Sequence, residues 1–307
     1  MQLDIGALSD IGRRKKKNED HFGVFGEDTP DLALIRQGAL LIVADGLGGH
    51  IGGDMASKLA VSHFRDILFE PRPQEDPEAE SPDAQLHALL EDRVRLVNER
   101  IHQTNVDLVK NGRPMGTTLC AALVEPTKTH IVNVGDSRAY HIRGDEIIAR
   151  TEDHSWVDEQ VRLSVMTRDE AEADHRRNLV TKSLGTQSEV DGDVYAWHTV
   201  PDDLLLLCSD GLVNMISDAE ILAELKAGGL AQDIVQRLID LANAHGGKDN
   251  ITAILARIHP DPKKMARARL RRFLDRYGRT LLAVFGALAF GGLCFAAGFL
   301  THMLLGR

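Results

Sequence analysis

The 307-residue chain is poor in cysteine, in aromatic residues and, over most of its length, in positive charge. Its three cysteines, Cys120, Cys208 and Cys294, are far apart, lie among apolar residues and show no CxxC spacing. Structural disulfides and cysteine-based zinc sites are therefore not expected. This pattern is typical of a reducing compartment, where such cysteines serve as small core or membrane residues.

Positive charge is concentrated near the C-terminus. Residues 263–279 contain eight Lys or Arg and one acid, whereas residues 1–262 contain 27 basic and 45 acidic residues, a net charge of −18. So acidic a surface lacks the basic footprint that a nucleic-acid backbone requires. The composition argues against nucleic acid as a partner and fits a protein that attracts phosphate locally through bound cations.

Long apolar runs are also scarce. An N-terminal signal peptide is not expected, because Asp4 interrupts the beginning of the sequence before any apolar run. The exception is 281–300, where no side chain is charged or strongly polar. At about 1.5 Å per residue this run spans a bilayer core. We predict a soluble domain over 1–260, a basic juxtamembrane segment over 261–279 and a transmembrane helix over 280–305.

The basic segment also predicts the orientation of this anchor. Positive charge is retained on the cytoplasmic side of a membrane, and all charge near the span except Arg307 lies N-terminal to it. The predicted location is the cytoplasmic membrane, with a single-pass C-terminal anchor and the larger domain in the cytoplasm. Apolar residues at helical spacing leave two interpretations of the basic segment, a helix on the anionic leaflet or a solvated helix.

Four short acidic clusters stand out in the first part of the chain. They are Asn18-Glu19-Asp20, Asp45-Gly46-Leu47-Gly48-Gly49-His50, Ser209-Asp210-Gly211-Leu212 and Lys248-Asp249-Asn250-Ile251-Thr252. Carboxylates that follow apolar runs or adjoin glycines are placed at strand ends and tight turns, where oxygens from distant segments converge on hard cations. The clusters therefore predict a divalent-metal site.

Two of these clusters follow runs that are typical of buried strands. Residues 39–44 and 204–208 are almost continuously apolar, and each run ends close to an Asp-Gly pair. Asp45 and Asp210 are thus expected at the C-terminal ends of these strands. Glycine permits a close backbone approach, so the Gly46 carbonyl can itself coordinate a metal. One Asp-Gly pair alone is a common turn signal, but four acidic clusters are harder to explain as turns.

Periodicity and turn signals predict the remaining elements. Between the first two helices, residues 70–83 are acidic and rich in proline, which predicts a surface loop. The predicted helices are 55–68, 84–109, 219–225 and 230–245, and two further strands are predicted at 117–124 and 130–134.

Taken together, the motifs resemble a known enzyme family. Its ordered blocks are Asn-Glu-Asp (18–20), Asp-Gly-Leu-Gly-Gly-His (45–50), Gly-Asp-Ser-Arg-Ala (135–139), Glu-Asp-His (152–154), Ser-Asp-Gly-Leu (209–212) and Asp-Asn-Ile-Thr (249–252). This order resembles the metal-dependent protein serine/threonine phosphatases of the PPM or PP2C type, in their bacterial form, over about residues 3–258. The resemblance implies an α+β fold: an α-β-β-α sandwich of two antiparallel sheets flanked by helices, here with one C-terminal transmembrane helix. It also implies a mobile flap at 153–185 beside a metal site at one edge of the sandwich.

The resemblance further implies a two-metal centre that holds Mn²⁺ or Mg²⁺. Asp45 bridges the two ions. Asp210 and Asp249 complete the ligands of one ion. Glu19 and the Gly46 carbonyl complete those of the other.

Three more acidic residues follow from the same resemblance. In several bacterial members a third metal uses the aspartate of the Asp-His block together with Asp210, and that residue is Asp153 here. Asp20 is expected to hydrogen-bond metal-bound water. Asp136 is expected either to hold a turn or to lie near the metals.

The phosphate-binding position departs from the family pattern. Many members have an arginine four residues before the glutamate, whereas this chain has Lys15, a point charge rather than a planar fork. Arg13 or Arg14 can take over the role, or the basic run is a solvated turn. Leu47 replaces the histidine proposed as general acid in eukaryotic members, so water or another group must protonate the leaving oxygen.

The expected activity is hydrolysis of phosphoserine or phosphothreonine in proteins by a metal-bridging hydroxide. Expected catalytic residues are Asp45, Asp210, Asp249 and Lys15. The expected partners are a phosphorylated protein substrate, a cognate serine/threonine kinase that the enzyme opposes, and the membrane. Two alternatives remain open: a phosphomonoesterase for small molecules, and a catalytically weak or dead module that binds phosphoproteins at the membrane.

Overall fold

The computed structural model describes residues 2–26, 38–47, 51–68, 81–108 and 114–259, with seven helical residues between 262 and 274. Contacts between Cα atoms divide the chain into two units, Met1–Pro260 and Asp261–Arg307. The strands are β1 (Leu3–Asp10), β2 (His21–Gly26), β3 (Ala39–Ala44), β4 (Gly46–Leu47), β5 (Gly116–Thr117), β6 (Leu119–Val124), β7 (Lys128–Val134), β8 (Arg138–Arg143), β9 (Glu146–Arg150), β10 (Asp193–His198), β11 (Leu204–Cys208) and β12 (Ile251–Ile258). The helices are α1 (Ile51–Leu68), α2 (Pro82–Leu108), α3 (Trp156–Arg162), α4 (Arg168–Ala173), α5 (Asp210–Val213), α6 (Asp218–Lys226) and α7 (Ala231–Ala244).

The strands form two five-stranded antiparallel sheets. The first has the order β1-β12-β11-β8-β9, and the second has the order β10-β7-β6-β3-β2. Strands β4 and β5 form a separate two-stranded ribbon. Because neighbouring strands run in opposite directions, the end of β3 lies beside the start of β2, and the end of β11 lies beside the start of β12.

The apolar side chains fill three layers. The middle layer lies between the sheets and consists mainly of alternate residues of β3, β6 and β7 on one side and of β8, β11 and β12 on the other. The other faces of the two sheets are covered by helices, α1 and α2 over the second sheet and α5, α6 and α7 over the first. This layering confirms the predicted α-β-β-α sandwich, and burial of both faces explains why β3 and β11 are apolar without alternation.

Most predicted elements are present with shifted ends. Strands β3 and β11 have the predicted bounds. The predicted strand 117–124 is interrupted at Thr118 and divided between β5 and β6, so treating it as one strand was wrong. Helix α6 begins with a capping box, in which Ser217 accepts from the Glu220 N–H while the Glu220 carboxylate accepts from the Ser217 N–H.

Several predictions for the termini and loops concern residues outside the described ranges. No helix among the described residues is long and apolar enough to cross a membrane. The predicted span 280–305 lies outside those residues, as do most of the loop 70–83 and half of the block 45–50. In the segment 261–279, Leu270, Phe273 and Leu274 are helical and exposed.

A buried carboxylate, Asp203, ties strand β8 of the first sheet to the loop before β11. The Asp203 carboxylate, 1% exposed, accepts hydrogen bonds from Arg143 Nε at 2.9 Å and from the Val200 N–H at 2.9 Å. It also lies 2.8 Å from His141 Nε2. Burial opposes ionisation of Asp203, but these partners outweigh it and hold its pKa below the ordinary value of 3.8.

We predict that Asp203→Asn lowers the free energy of unfolding by about 2 kcal/mol, because the Val200 N–H, the buried His141 and the half-exposed Arg143 lose a carboxylate as their common partner. Since the pKa is depressed in the fold, this stabilisation is present above the unfolded pKa and is lost as the pH falls through the folded value. In urea unfolding at pH 7, the variant should therefore have a lower free energy of unfolding than the wild type. This difference in free energy should shrink below about pH 4, which is roughly the pKa of an aspartate in the unfolded chain. The exposed Asp240→Asn serves as control and should change little at either pH.

Candidate metal centre

The four acidic clusters lie at the same end of the sandwich. Glu19 and Asp20 immediately precede β2, and Asp45 follows β3 in the same sheet. Asp210 begins α5 directly after β11, and Asp249 lies two residues before β12 in the other sheet. The antiparallel pairing of β2 with β3 and of β11 with β12 therefore brings the clusters together from both sheets, as the sequence predicted.

Asn250 connects the two sides of this edge. Its side-chain oxygen accepts from the Glu19 N–H at 2.9 Å, and its amide group donates to the carbonyls of Ile11 and Lys17, each at 3.0 Å. The backbone carbonyl of Glu19 accepts a further hydrogen bond from the Ser57 hydroxyl of α1 at 2.6 Å. The backbone of Glu19 is thus fixed by Ser57 of α1 and by Asn250, the residue before β12.

Two threonines fix the backbone of Asp45. The Asp45 N–H donates to Thr118 Oγ1 at 2.8 Å. The Asp45 carbonyl accepts from the Thr118 N–H at 2.9 Å and from Thr117 Oγ1 at 2.9 Å. Because both backbone polar groups of Asp45 are satisfied in this way, the break in the strand at Thr118 serves to hold the carboxylate in one place.

Asp20 lies buried beneath the same edge. Its Oδ2 accepts from Ser209 Oγ and from Thr252 Oγ1, both at 2.7 Å, so it ties β2 to the ends of β11 and β12. Burial raises the pKa of Asp20 to about 7, with the charges of Asp210 and Asp249 adding to the rise and the two hydroxyl donors opposing it.

The carboxylates of this edge are close enough to disturb one another's ionisation. Burial raises the pKa of Asp45 well above its ordinary value, with further rises from the charges of Asp20, Asp210 and Asp136. Burial and the neighbouring charges of Asp210 and Asp153 likewise raise the pKa of Asp136. Like charges at such separation are stable only with protons or cations among them.

Several oxygens at this edge are left without a partner. Glu19 Oε1, Asp20 Oδ1 and Asp210 Oδ1 are buried and accept no hydrogen bond. An unpaired buried carboxylate oxygen is costly, and a hard divalent cation would satisfy it. The donor set contains only oxygen, which fits Mn²⁺ or Mg²⁺ rather than a metal that prefers sulfur or nitrogen.

The chain's own cations partly neutralise these carboxylates. The Lys15 ammonium lies 2.5 Å from Asp249 Oδ1, and the charges of Asp249, Asp45 and Glu19 raise its pKa although burial opposes this. Within the described part of the chain, no three acidic, histidine or cysteine side chains already surround one point as ligands. A cation bound by Asp249 would therefore compete with the Lys15 ammonium for that carboxylate.

Asp153 is held differently from the other predicted ligands. Arg138 grips it with Nε at 2.8 Å from Oδ1 and Nη2 at 2.7 Å from Oδ2, a bidentate pair. Arg138 also donates to the Tyr140 hydroxyl, which in turn donates to Asp218. Asp153 is therefore close to the centre, but its oxygens are already occupied.

A polar groove of about 580 Å³ opens beside the centre. Asp136, Asp153 and Asp210 are among its lining residues. Other lining residues belong to the α3–α4 segment and to the segment from α5 to α6. This α3–α4 segment occupies the predicted flap position, and Arg176 stacks over Trp156 there at 3.5 Å from the ring centroid.

The structure also locates residues to which sequence reasoning gave no role or a weak one. Asn250 and Thr118 had no assigned role, although Asn250 stood within a recognised motif. Asp136 lies near enough to Asp45 and Asp210 for their charges to affect one another's ionisation. Arg13 donates its backbone N–H to the Gly247 carbonyl. His50 lies outside the described residues.

Comparisons with known proteins agree with this geometry. Residues 14–284 match the family model "Protein phosphatase 2C". The serine/threonine phosphatase stp of Listeria innocua is 37% identical over 250 residues, which cover 80% of this chain and 92% of that protein. The solved structure of the Streptococcus agalactiae serine/threonine phosphatase superposes with a TM-score of 0.72 at 30% identity, covering 84% of this chain and 100% of that one.

A third relative was solved with metal. The catalytic domain of the serine threonine protein phosphatase PstP, in complex with two manganese ions, is 33% identical with a TM-score of 0.65 and covers 83% of this chain and 97% of that one. Family model, sequence relatives and solved structures thus agree over most of the chain. The chain belongs to the protein phosphatase 2C family and is a serine/threonine protein phosphatase of the bacterial type.

Proposed function

We propose that the domain hydrolyses phosphoserine and phosphothreonine in proteins with the help of two Mn²⁺ or Mg²⁺ ions. The proposed ligands are Glu19, Asp45, the Gly46 carbonyl, Asp210 and Asp249, with Asp45 as the bridge. The observation that carries this proposal is the group of buried, unpaired carboxylate oxygens that meet from both sheets. The two manganese ions of the related PstP domain support the same stoichiometry.

The chemistry divides between the ions and the chain. When bound, the ions would supply Lewis acidity and a nucleophile generated from water at neutral pH. The chain's residues keep the carboxylates close to one another despite their repulsion, through Thr117 and Thr118 at Asp45 and Asn250 at Glu19. The groove beside Asp136 and Asp210 gives the phosphorylated side chain a path to them.

Lys15 is proposed to bind the substrate phosphate. Its ammonium already lies at the centre, against Asp249, on the loop that leads to Glu19. A phosphate group would offer that ammonium a second partner once a cation neutralises Asp249. The structure of this loop therefore supports Lys15 over the exposed Arg14, for which no contact with the carboxylates is found in the described residues.

A third ion held by Asp153 and Asp210 is also proposed. Arg138 donates to both oxygens of Asp153, so such an ion would share this carboxylate with the guanidinium. Occupancy of this third position is then expected to be weaker than that of the first two, because the positive charge of Arg138 repels a cation at Asp153.

For the location we propose the cytoplasmic face of a membrane, where the enzyme would oppose a serine/threonine kinase. The apolar run 281–300 and the eight basic residues in 263–279 support this proposal. The kinase is inferred from the reaction alone, because an enzyme that removes phosphate from proteins needs another that adds it.

The activity itself is tested with the purified protein, Mn²⁺ and a phosphothreonine peptide. We expect phosphate release that is abolished by EDTA and restored by Mn²⁺. Asp45→Asn and Asp210→Asn should each lower kcat at least about 100-fold, because they remove charge from the ligand set. A wild type that releases no phosphate from the peptide, with Asp210→Asn unchanged from it, would contradict the proposed hydrolysis of phosphoproteins.

Replacing Lys15 tests separately its proposed contact with the substrate phosphate and its observed contact with Asp249. We expect Lys15→Met to raise KM for the phosphopeptide about tenfold, because one charged contact to phosphate is lost. The same change should lower the Mn²⁺ concentration for half-maximal activity, since Asp249 loses a competing cation. The exposed neighbour Lys16→Met is the control and should change neither value. An unchanged KM for Lys15→Met would contradict phosphate binding by Lys15 and would favour the alternative that the basic run is a solvated turn.

Membrane attachment is tested by fractionation. The full chain should sediment with membranes and resist extraction by carbonate at high pH, whereas a chain ending at residue 260 should remain in the supernatant with its peptide phosphatase activity retained. A full chain found in the supernatant would contradict the proposed anchor without bearing on the activity.

A further inference from the structure

Helix α2 carries three polar residues where an apolar stripe would be expected. Asn98, His102 and Asn105 follow one another at helical spacing of four and three residues, so they lie on one face. Asn98 and Asn105 are buried, 1% and 5% exposed, beside the core residue Ile101. Burying an amide is costly unless all of its hydrogen bonds are satisfied, so these side chains need specific partners.

Those partners are backbone groups of two distant segments. Asn105 donates to the carbonyls of Met115 and Gly185, each at 2.8 Å, and accepts from the Met115 N–H at 2.7 Å. Asn98 accepts from the Gly185 N–H at 2.7 Å. His102 Nδ1 lies 3.2 Å from the Gly185 carbonyl oxygen. The three side chains therefore clamp the segments around residues 115 and 185 to α2, and we call them the α2 clamp.

Asn98 extends the clamp along the second segment. Its amide group also donates to the carbonyls of Gln187 and Ser188, at 3.0 and 3.1 Å. Gly185, at the centre of the clamp, has φ +85° and sits so close to α2 that an added Cβ would lie 2.4 Å from Ile101 Cγ2. This position therefore admits only glycine, and it is the C-terminal end of the flap segment.

The clamped segments lead directly to the metal centre. Leu184, next to Gly185, exchanges two backbone hydrogen bonds with Thr117, at 3.2 and 2.9 Å. Thr117 in turn pairs with Gly46 in the β4–β5 ribbon and donates its hydroxyl to the Asp45 carbonyl. A continuous path of hydrogen bonds thus runs from the α2 clamp through Leu184 and Thr117 to Asp45 and Gly46.

We infer that Asn98, His102 and Asn105 are positioning residues of the metal centre, which fix the bridging aspartate and the end of the flap together. This inference rests on the proposed two-metal function of Asp45 and Gly46. If the clamp holds Asp45 in place, its loss should weaken metal binding and lower kcat while leaving the contacts to substrate phosphate unchanged. A purely structural role would lower only the thermal stability.

A matched control is available on the other outer layer. Gln232 of α7 makes the same kind of bidentate bond to a backbone, accepting from the Ala7 N–H at 3.1 Å and donating to the Ala7 carbonyl at 3.2 Å. Ala7 lies in the middle of β1, away from the strand ends that carry the carboxylates. Gln232→Ala therefore removes comparable bonds without touching the path to Asp45.

The test measures Mn²⁺ binding by isothermal titration calorimetry, together with Tm, kcat and KM. We expect Asn98→Ala and Asn105→Ala each to weaken Mn²⁺ binding about tenfold and to lower kcat by a similar factor, with KM for the phosphopeptide within about twofold of wild type. Gln232→Ala should lower Tm alone. Clamp variants that lose Tm but bind Mn²⁺ like the wild type would overturn the inference.

Two further variants keep the test decisive if an asparagine variant fails to fold. His102→Ala removes one half-buried contact and should give a smaller loss in the same direction. Thr117→Val breaks the path nearer Asp45, so its effect on Mn²⁺ affinity should not add to that of His102→Ala. Additive effects would overturn the inference. A wild type that bound no Mn²⁺ at all would contradict the proposed function and the clamp with it.

Discussion

The mutual repulsion of buried carboxylates at one edge of the sandwich is the constraint on which the remaining features depend. Asp45, Asp210, Asp136 and Asp20 come from both sheets, and burial together with their neighbours' charges raises the pKa of each. Such a cluster forms only if the rest of the fold is stable enough to offset this repulsion. Burial of the three apolar layers provides that stability. Antiparallel pairing places the strand ends that carry the acids at one edge.

The local supports of the cluster are polar, and they act on the backbone of Asp45 and Glu19 and on the carboxylate of Asp20. Thr117 and Thr118 fix Asp45, Asn250 fixes Glu19, and Ser209 with Thr252 fixes Asp20. The carboxylate oxygens themselves stay partly unpaired, which is the arrangement that a hard cation can use. Lys15 and Arg138 supply positive charge within the chain, and each of them limits how one predicted ligand, Asp249 or Asp153, can meet a metal.

The sequence predicts the parts of this account that depend on short-range pattern. Strands β3 and β11 have the predicted bounds because each is buried on both faces and ends close to an Asp-Gly pair. The pairing of Asp153 with Arg138 and the contact of Lys15 with Asp249 could not be predicted, since each depends on how loops lie against strand ends. The same holds for Asn98 and Asn105, which look like ordinary polar residues of a helix until the segments around Met115 and Gly185 are seen beside them.

The central claim, that these carboxylates together hold a pair of divalent ions, is tested most directly by diffraction from crystals grown with Mn²⁺. Data collected at the manganese absorption edge locate the ions independently of activity. The account predicts two anomalous peaks that share Asp45 as a ligand, with Glu19 and Gly46 at one ion, Asp210 and Asp249 at the other, and Lys15 displaced from Asp249. Crystals with Mn²⁺ in excess, no anomalous peak at this edge and Lys15 still paired with Asp249 would contradict it.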